Sequence, residues 1–217
     1  MFKRFACPRT LILIAGLLLA TACTAKSGST PDPYTEGTEY VTLPAPHQRY
    51  GSAGKVEVVE VFSYGCIHCA QFAPVADALS KVLPAGVVFK ELPAPFSAEW
   101  VPFARAFYAA KQLGVLERTH LALFDAKFNQ HYPINSMDEL ADFYARAGVD
   151  RAAFMAAATS PQTTNQIKSD LALIQKWQVG GTPTIVIDGK YRVAAVHSYD
   201  EMVAVTQWLV NRELAGK

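Results

Sequence analysis

Cys66-Ile67-His68-Cys69 follows directly on the Val-rich run Val56 to Phe62 and directly precedes a helix-forming segment. Two thiols are thereby placed one helical turn apart at a strand-to-helix junction. Cysteines at i and i+3 on a helix have Cα atoms about 5 Å apart, within the window a disulfide needs. Cys66 falls where unpaired backbone N–H groups and the positive end of the helix dipole favour a thiolate, and the thiolate is the form that attacks a disulfide. A protonated His68 would add a second favourable charge in the same turn. These residues point to a redox-active dithiol/disulfide pair.

Two plainer readings of the motif compete. Zinc requires four ligands, usually a second Cys or His pair at similar spacing; His47, His120, His131 and His197 are scattered singly, so no metal site is expected. A purely structural bridge is disfavoured because a four-residue loop removes little entropy from the unfolded chain.

Lys3, Arg4 and Arg9, the apolar run Leu11 to Ala20 and the small residues Ala20-Thr21-Ala22 have the order of a secretory signal peptide over residues 1–22. That run is about half the length of a membrane span. Leu19-Ala20-Thr21-Ala22-Cys23 also resembles a bacterial lipobox, with Ala20 where leucine is usual. Ordinary cleavage would leave Cys23 as an unpaired thiol in an oxidising compartment, so lipidation of Cys23 is the favoured reading. Cys7 leaves with the signal, and the mature chain then has one cysteine pair. Residues 23–38, poor in large apolar side chains, read as a flexible linker. Three of the 20 Lys and Arg fall in residues 1–22, so the remainder is nearly neutral against 19 Asp and Glu, with no basic stripe for nucleic acid.

The elements that must position the motif can be traced in order. Tyr40 to Leu43 reads as a short strand and Lys55 to Phe62 as a central one. A helix from about Cys66 to Val82 carries Phe72, Val75, Ala76 and Leu79 on one face, with Pro74 as a candidate kink. Val87 to Leu92 is a second long strand, giving a βαβ half with a right-handed crossover. Residues 97–160 change to successive amphipathic helices, with faces Trp100/Phe103/Ala104/Phe107 and Leu121/Phe124/Phe128. A capping box, Ser136 with Glu139, precedes a third helix, and Asp150 caps a fourth. Ser160-Pro161 opens a long helix. Pro183 to Ile187, the turn Asp188-Gly189, Tyr191 to Val196 and a helix from Tyr199 to Leu214 complete a ββα half. The expected fold class is α/β, with an order over 39–96 and 161–217 that resembles a thioredoxin-like domain, interrupted by a helical insertion over 97–160.

This order, the octapeptide Phe62-Ser63-Tyr64-Gly65-Cys66-Ile67-His68-Cys69, and Val179-Gly180-Gly181-Thr182-Pro183-Thr184 together resemble the DsbA family of periplasmic disulfide oxidases, from about Glu39 to the C terminus. The resemblance implies that Pro183 is cis and lies across from the cysteine pair, with Thr182 and Ile67 in the substrate-binding surface. It implies a periplasmic thiol:disulfide oxidase acting on unfolded exported proteins with free cysteines. The protein would work as a monomer without metal or organic cofactor and be reoxidised by a DsbB-type quinone-linked membrane protein. Glu60 stands six residues before Cys66, where the family has an acid. Among Val58, Val59, Val61 and Phe62 it would be a buried carboxyl able to exchange protons with Cys69, with Lys90 as its partner; strand alternation leaves an exposed position open as the alternative.

Three positions depart from the family pattern. Ile67 replaces a common proline, Thr182 a common valine, and Ala73 a second acid. A reductase or an isomerase of the same fold uses the same motif, although the isomerase class needs a preceding dimerisation domain. A non-catalytic peptide-binding or chaperone lipoprotein is a further alternative.

Overall fold

The computed structural model describes Phe2 and residues 32–51, 53–194 and 196–216; the rest of the signal segment with Cys7, Cys23 and most of the linker lie outside them. Strand β2 (Val56–Phe62) is the centre of the architecture. Five of its seven residues are apolar, and from Glu57 onward every one is buried, as expected for a strand covered on both faces. It pairs in parallel with β3 (Val87–Pro93) and antiparallel with β4 (Thr184–Ile187), which pairs with β5 (Tyr191–Val193), which pairs with β1 (Tyr40–Thr42). The sheet order is β1-β5-β4-β2-β3. The βαβ and ββα halves expected for a thioredoxin fold are both present.

Because side chains alternate along a strand, β2 serves two cores. Val58 joins Phe72 and Ala76 of α1 (Ile67–Val82) and Met202, Val205 and Leu209 of α7 (Tyr199–Leu214). Val59 and Val61 pack with Leu173, Ile174 and Trp177 at the end of α6 (Pro161–Lys176). Helix α1 runs through Pro74. The turn between β4 and β5 has Asp188 at φ 52° and Gly189 at φ 62°, closed by the Lys190 N–H donating to the Ile187 carbonyl at 2.8 Å. Two successive positive φ values select the Asp-Gly pair.

Between β3 and α6 stand α2 (Val101–Gln112), α3 (Leu116–Phe128), α4 (Met137–Arg146) and α5 (Arg151–Thr159). Their start signals act locally: Ser136, Asp150 and Ser160 accept from the N–H groups of Glu139, Ala153 and Thr163. One face differs from expectation. In α3 the buried residues include Leu123 and Phe124, whereas Leu121 is exposed, because α1 and α2 cover a face rotated from the one the spacing suggested. Among the described residues no helix is long and apolar enough to cross a membrane.

The pairing of Lys90 also differs. Its ammonium lies 3.0 Å from the Glu57 carboxylate, not against Glu60. Register explains this: Lys90 sits opposite Val59, on the face shared by Glu57, while Glu60 sits opposite Glu91 on the other face. Lys90→Met should therefore lower stability by about 2 kcal/mol, less than for a fully buried pair because Lys90 is 26% exposed. It should leave the Cys66–Cys69 potential unchanged; urea unfolding and glutathione equilibration check the two halves.

Candidate active site

The backbone before Cys66 forms a tight turn that aims the first thiol. The Ser63 carbonyl accepts from the Cys66 N–H at 3.1 Å, and the Ser63 hydroxyl accepts from the Gly65 N–H at 3.1 Å. Cys66 is the N-cap of α1, in extended backbone conformation, and its carbonyl accepts from Ala70 N–H. Gly65 is required by close approach: a Cβ there would lie 2.6 Å from Nε1 of Trp100. Trp100, from the 3₁₀ turn Ala98–Trp100 that precedes α2, thus packs against the loop that delivers Cys66.

Both cysteines are free thiols in this structure. Cys66 retains 8% exposure and Cys69 none, so a large partner can reach only the first sulfur. Their acidities diverge. Cys66 is lowered to about 5, chiefly by the hydrogen bond from the Cys69 thiol, against the opposing effect of burial. The Thr182 side chain and the backbone N–H groups of Cys69 and His68 add to the lowering. Cys69 is raised by burial, by its hydrogen bond to Cys66 and by the nearby Glu60 carboxyl. One motif therefore holds a ready thiolate and a firmly protonated thiol.

Thr182-Pro183 is a cis peptide bond, and the Cys66 thiol donates to the Thr182 carbonyl at 3.4 Å. The loop before β4 is thus brought to the cysteine pair across 116 residues of sequence. The Thr182 hydroxyl is buried and has no hydrogen-bond partner among the described residues, so it is available to the thiolate. Ile67 and His68 are exposed beside Cys66. His68 contributes its backbone N–H to the Cys66 sulfur, and its carbonyl accepts from Tyr199 Oη at 3.0 Å, tying α7 to the first turn of α1.

Glu60 is buried at 2% exposure, with its pKa pushed up to about 8 by burial first, then by Glu91 and Cys66. Tyr64, two residues before Cys66, is fully buried and its hydroxyl lies 2.8 Å from His120 Nδ1 on α3. Burial lowers His120 to about 4, so the ring is neutral at physiological pH and each partner can supply the proton of that bond.

The structure brings Cys66, Cys69, Ile67, His68, Glu60, Thr182 and Pro183 to one region of the fold. Sequence reasoning missed Glu91, His120, Trp100 and Tyr199. Glu91 was legible in principle, since placing β3 in register with β2 sets it beside Glu60. His120 offered only a weak signal, its four-residue spacing from Phe124. Trp100 and Tyr199 act through contacts that no local pattern encodes.

A family model described as a DSBA-like thioredoxin domain matches residues 86–207. The thiol:disulfide interchange protein DsbA of Pseudomonas aeruginosa is 36% identical over 210 residues, covering 96% of this chain and 98% of that one. DsbA of Azotobacter vinelandii is 33% identical over 214 residues, covering 96% and 100%. Among solved structures, P. aeruginosa DsbA superposes with a TM-score of 0.80 at 36% identity, covering 87% of this chain and 98% of that one. The oxidoreductase DsbA from Xylella fastidiosa gives 0.79 at 39% identity, covering 84% and 98%.

Two outcomes follow from the electrostatics. In the reduced protein, thiolate absorbance near ~240 nm and Cys66 alkylation should rise together with a midpoint near pH 5, because a lowered pKa leaves the thiolate dominant above that value; a midpoint near 9 would contradict the assignment. Thr182→Val removes a group that lowers Cys66 and should raise the midpoint by about one pH unit, or about 1.4 kcal/mol. Since that destabilises the reduced form, the reduction potential should fall by roughly 30 mV.

Proposed function

This chain belongs to the DsbA family and is a thiol:disulfide oxidoreductase, and from that premise we propose that its Cys66–Cys69 disulfide oxidises the thiols of exported, folding proteins in the periplasm. The observation that carries this reading is the opposite displacement of the two sulfurs: Cys66 partly accessible and acidic, Cys69 enclosed and weakly acidic. Stabilising the Cys66 thiolate stabilises the reduced protein, which makes the disulfide form the stronger oxidant.

The steps follow from accessibility and leaving-group ability. A substrate thiolate attacks Cys66 Sγ, the S–S bond breaks, and Cys69 leaves and takes a proton. A second substrate thiolate attacks the substrate sulfur of the mixed disulfide and expels Cys66 as thiolate, favoured by its low pKa. Two electrons pass from substrate to protein; of the two protons released, one resides on Cys69 and one enters solvent. Glu60, protonated at neutral pH, supplies the Cys69 proton. Ile67, the Thr182 backbone and Pro183 offer the substrate an apolar and an extended backbone contact beside Cys66. His68 lies exposed at the rim beside Cys66.

Reoxidation is assigned to a DsbB-type quinone-linked membrane protein, and Cys23 to a lipid anchor that holds the domain at a membrane; the intact mass of the membrane-extracted protein tests the anchor. The reductase, isomerase and non-catalytic chaperone readings are not favoured, since the relatives sharing a third or more of their residues over nearly the whole chain are DsbA proteins.

Equilibration of the full mature chain across glutathione buffers should give a Cys66–Cys69 potential well above the roughly −270 mV of thioredoxin. A value at or below that level would sink the oxidase reading and indicate a reductase. Cys66→Ser should abolish peptide oxidation, while Cys69→Ser should accumulate mixed disulfides through Cys66, seen by nonreducing electrophoresis.

A further inference from the structure

Every turnover moves a proton on or off Cys69, yet Cys69 has no exposed surface and Glu60 almost none. A route to solvent must pass another group. Glu91 is the residue of β3 that registers with Glu60 in the parallel β2–β3 pair, so the two carboxyl side chains start from strands about 4.8 Å apart on one face of the sheet. Both line a cavity of about 550 Å³ between the sheet, α1, α2 and α3, walled on the α1 side by Ala73. Glu91 is only partly buried, whereas Glu60 is enclosed. A larger side chain at position 73 would project into this space; alanine leaves it open.

We propose that Glu60 and Glu91 form a coupled carboxyl pair that exchanges a proton with Cys69, with Glu91 as the solvent-facing, positioning member. The proposal rests on the oxidase reading above and extends it to a residue outside the cysteine motif. The other titratable groups lining the cavity are Asp77 and Lys81 of α1, Lys111 of α2, and Glu117 and His120 of α3. Burial, with Asp77 adding to it, raises the Glu91 carboxyl, against the lowering by its own backbone N–H and by Lys111. His120 is neutral and hydrogen-bonded to Tyr64, so it brings no compensating charge. Lys90, the one cation of β3, lies on the opposite face with Glu57. A negative Glu91 in turn discourages ionisation of Glu60. When Cys69 leaves as a thiolate, Glu60 gives it a proton. Glu60 is then reprotonated from solvent by way of Glu91.

The test uses the reduced full mature chain and its Glu91→Gln variant, with carboxyl titration followed by carbon NMR on labelled glutamate. The Glu60 midpoint should fall by roughly one pH unit in the variant, because a like charge has been removed. Glu91→Ala removes the same charge and should lower the Glu60 midpoint likewise, which provides the measurement if Glu91→Gln folds poorly. In single-turnover oxidation of a dithiol peptide, the rate of Glu91→Gln relative to the unmodified protein should be near one at pH 5. It should drop about fivefold at pH 8, where a Glu60 titrating one unit lower has lost its proton. A rate ratio that is the same at every pH, or a Glu60 midpoint that does not move, overturns the proposal. Failure of the oxidase reading looks different: the unmodified protein would not oxidise the peptide, while the carboxyl titrations would still report whether the pair is coupled.

Discussion

The hydrogen bond from the buried Cys69 thiol to Cys66 is the interaction on which the chemistry depends. It is the largest influence lowering Cys66, and the same bond helps hold the proton on Cys69. A single contact therefore creates both the good leaving group and its protonated partner. It forms only because α1 begins at Cys66, which places the sulfurs one turn apart with one facing outward and the other enclosed. The free N–H groups of His68 and Cys69 then act on Cys66 from a helix start that no capping side chain occupies.

Holding that helix start in place requires several distant parts of the chain. The β4 end of the sheet supplies Thr182 and Pro183, α7 supplies Tyr199, and the insertion supplies Trp100 against Gly65 and His120 against Tyr64. Phe62, Tyr64, Phe107, Phe124 and His120 form a contiguous aromatic cluster beneath the catalytic loop, with ring centroids 4.9 to 6.1 Å apart where they touch. Such edge-to-face packing is directional as well as apolar, so it restrains the loop and the insertion together. The insertion is part of the active-site scaffold rather than an appendage.

Strand β2 shows how one short segment separates stability from chemistry. Glu57 and Glu60 are both buried acids three residues apart, hence on opposite faces. Glu57 is neutralised by Lys90 and accepts from the Tyr50 N–H at 2.7 Å, making it a structural tie between β2, β3 and the preceding loop. Among the described residues Glu60 has no such ion pair; Glu91 stands in register with it on β3 and adds to burial in holding its charge in check. The second carboxyl beside it comes from the neighbouring strand, not from α1, where Ala73 stands.

The cysteine motif, its place at a strand-to-helix junction, the caps Ser136, Asp150 and Ser160, and the order of elements were all determined by the sequence alone, because each depends on residues within a few positions of one another. Glu60 was legible as a buried acid for the same reason. Its partner was not: choosing Lys90 over Glu91 depends on the register of two strands separated by a helix, and a one-residue slip exchanges the faces. Leu121 and Leu123 were likewise separable only once the neighbouring helices had chosen which side of α3 to cover. The acidity of Cys66, the confinement of Cys69 and the packing of Trp100 on Gly65 were decided by tertiary structure, since desolvation and contact arise where segments distant in sequence close around the same few atoms.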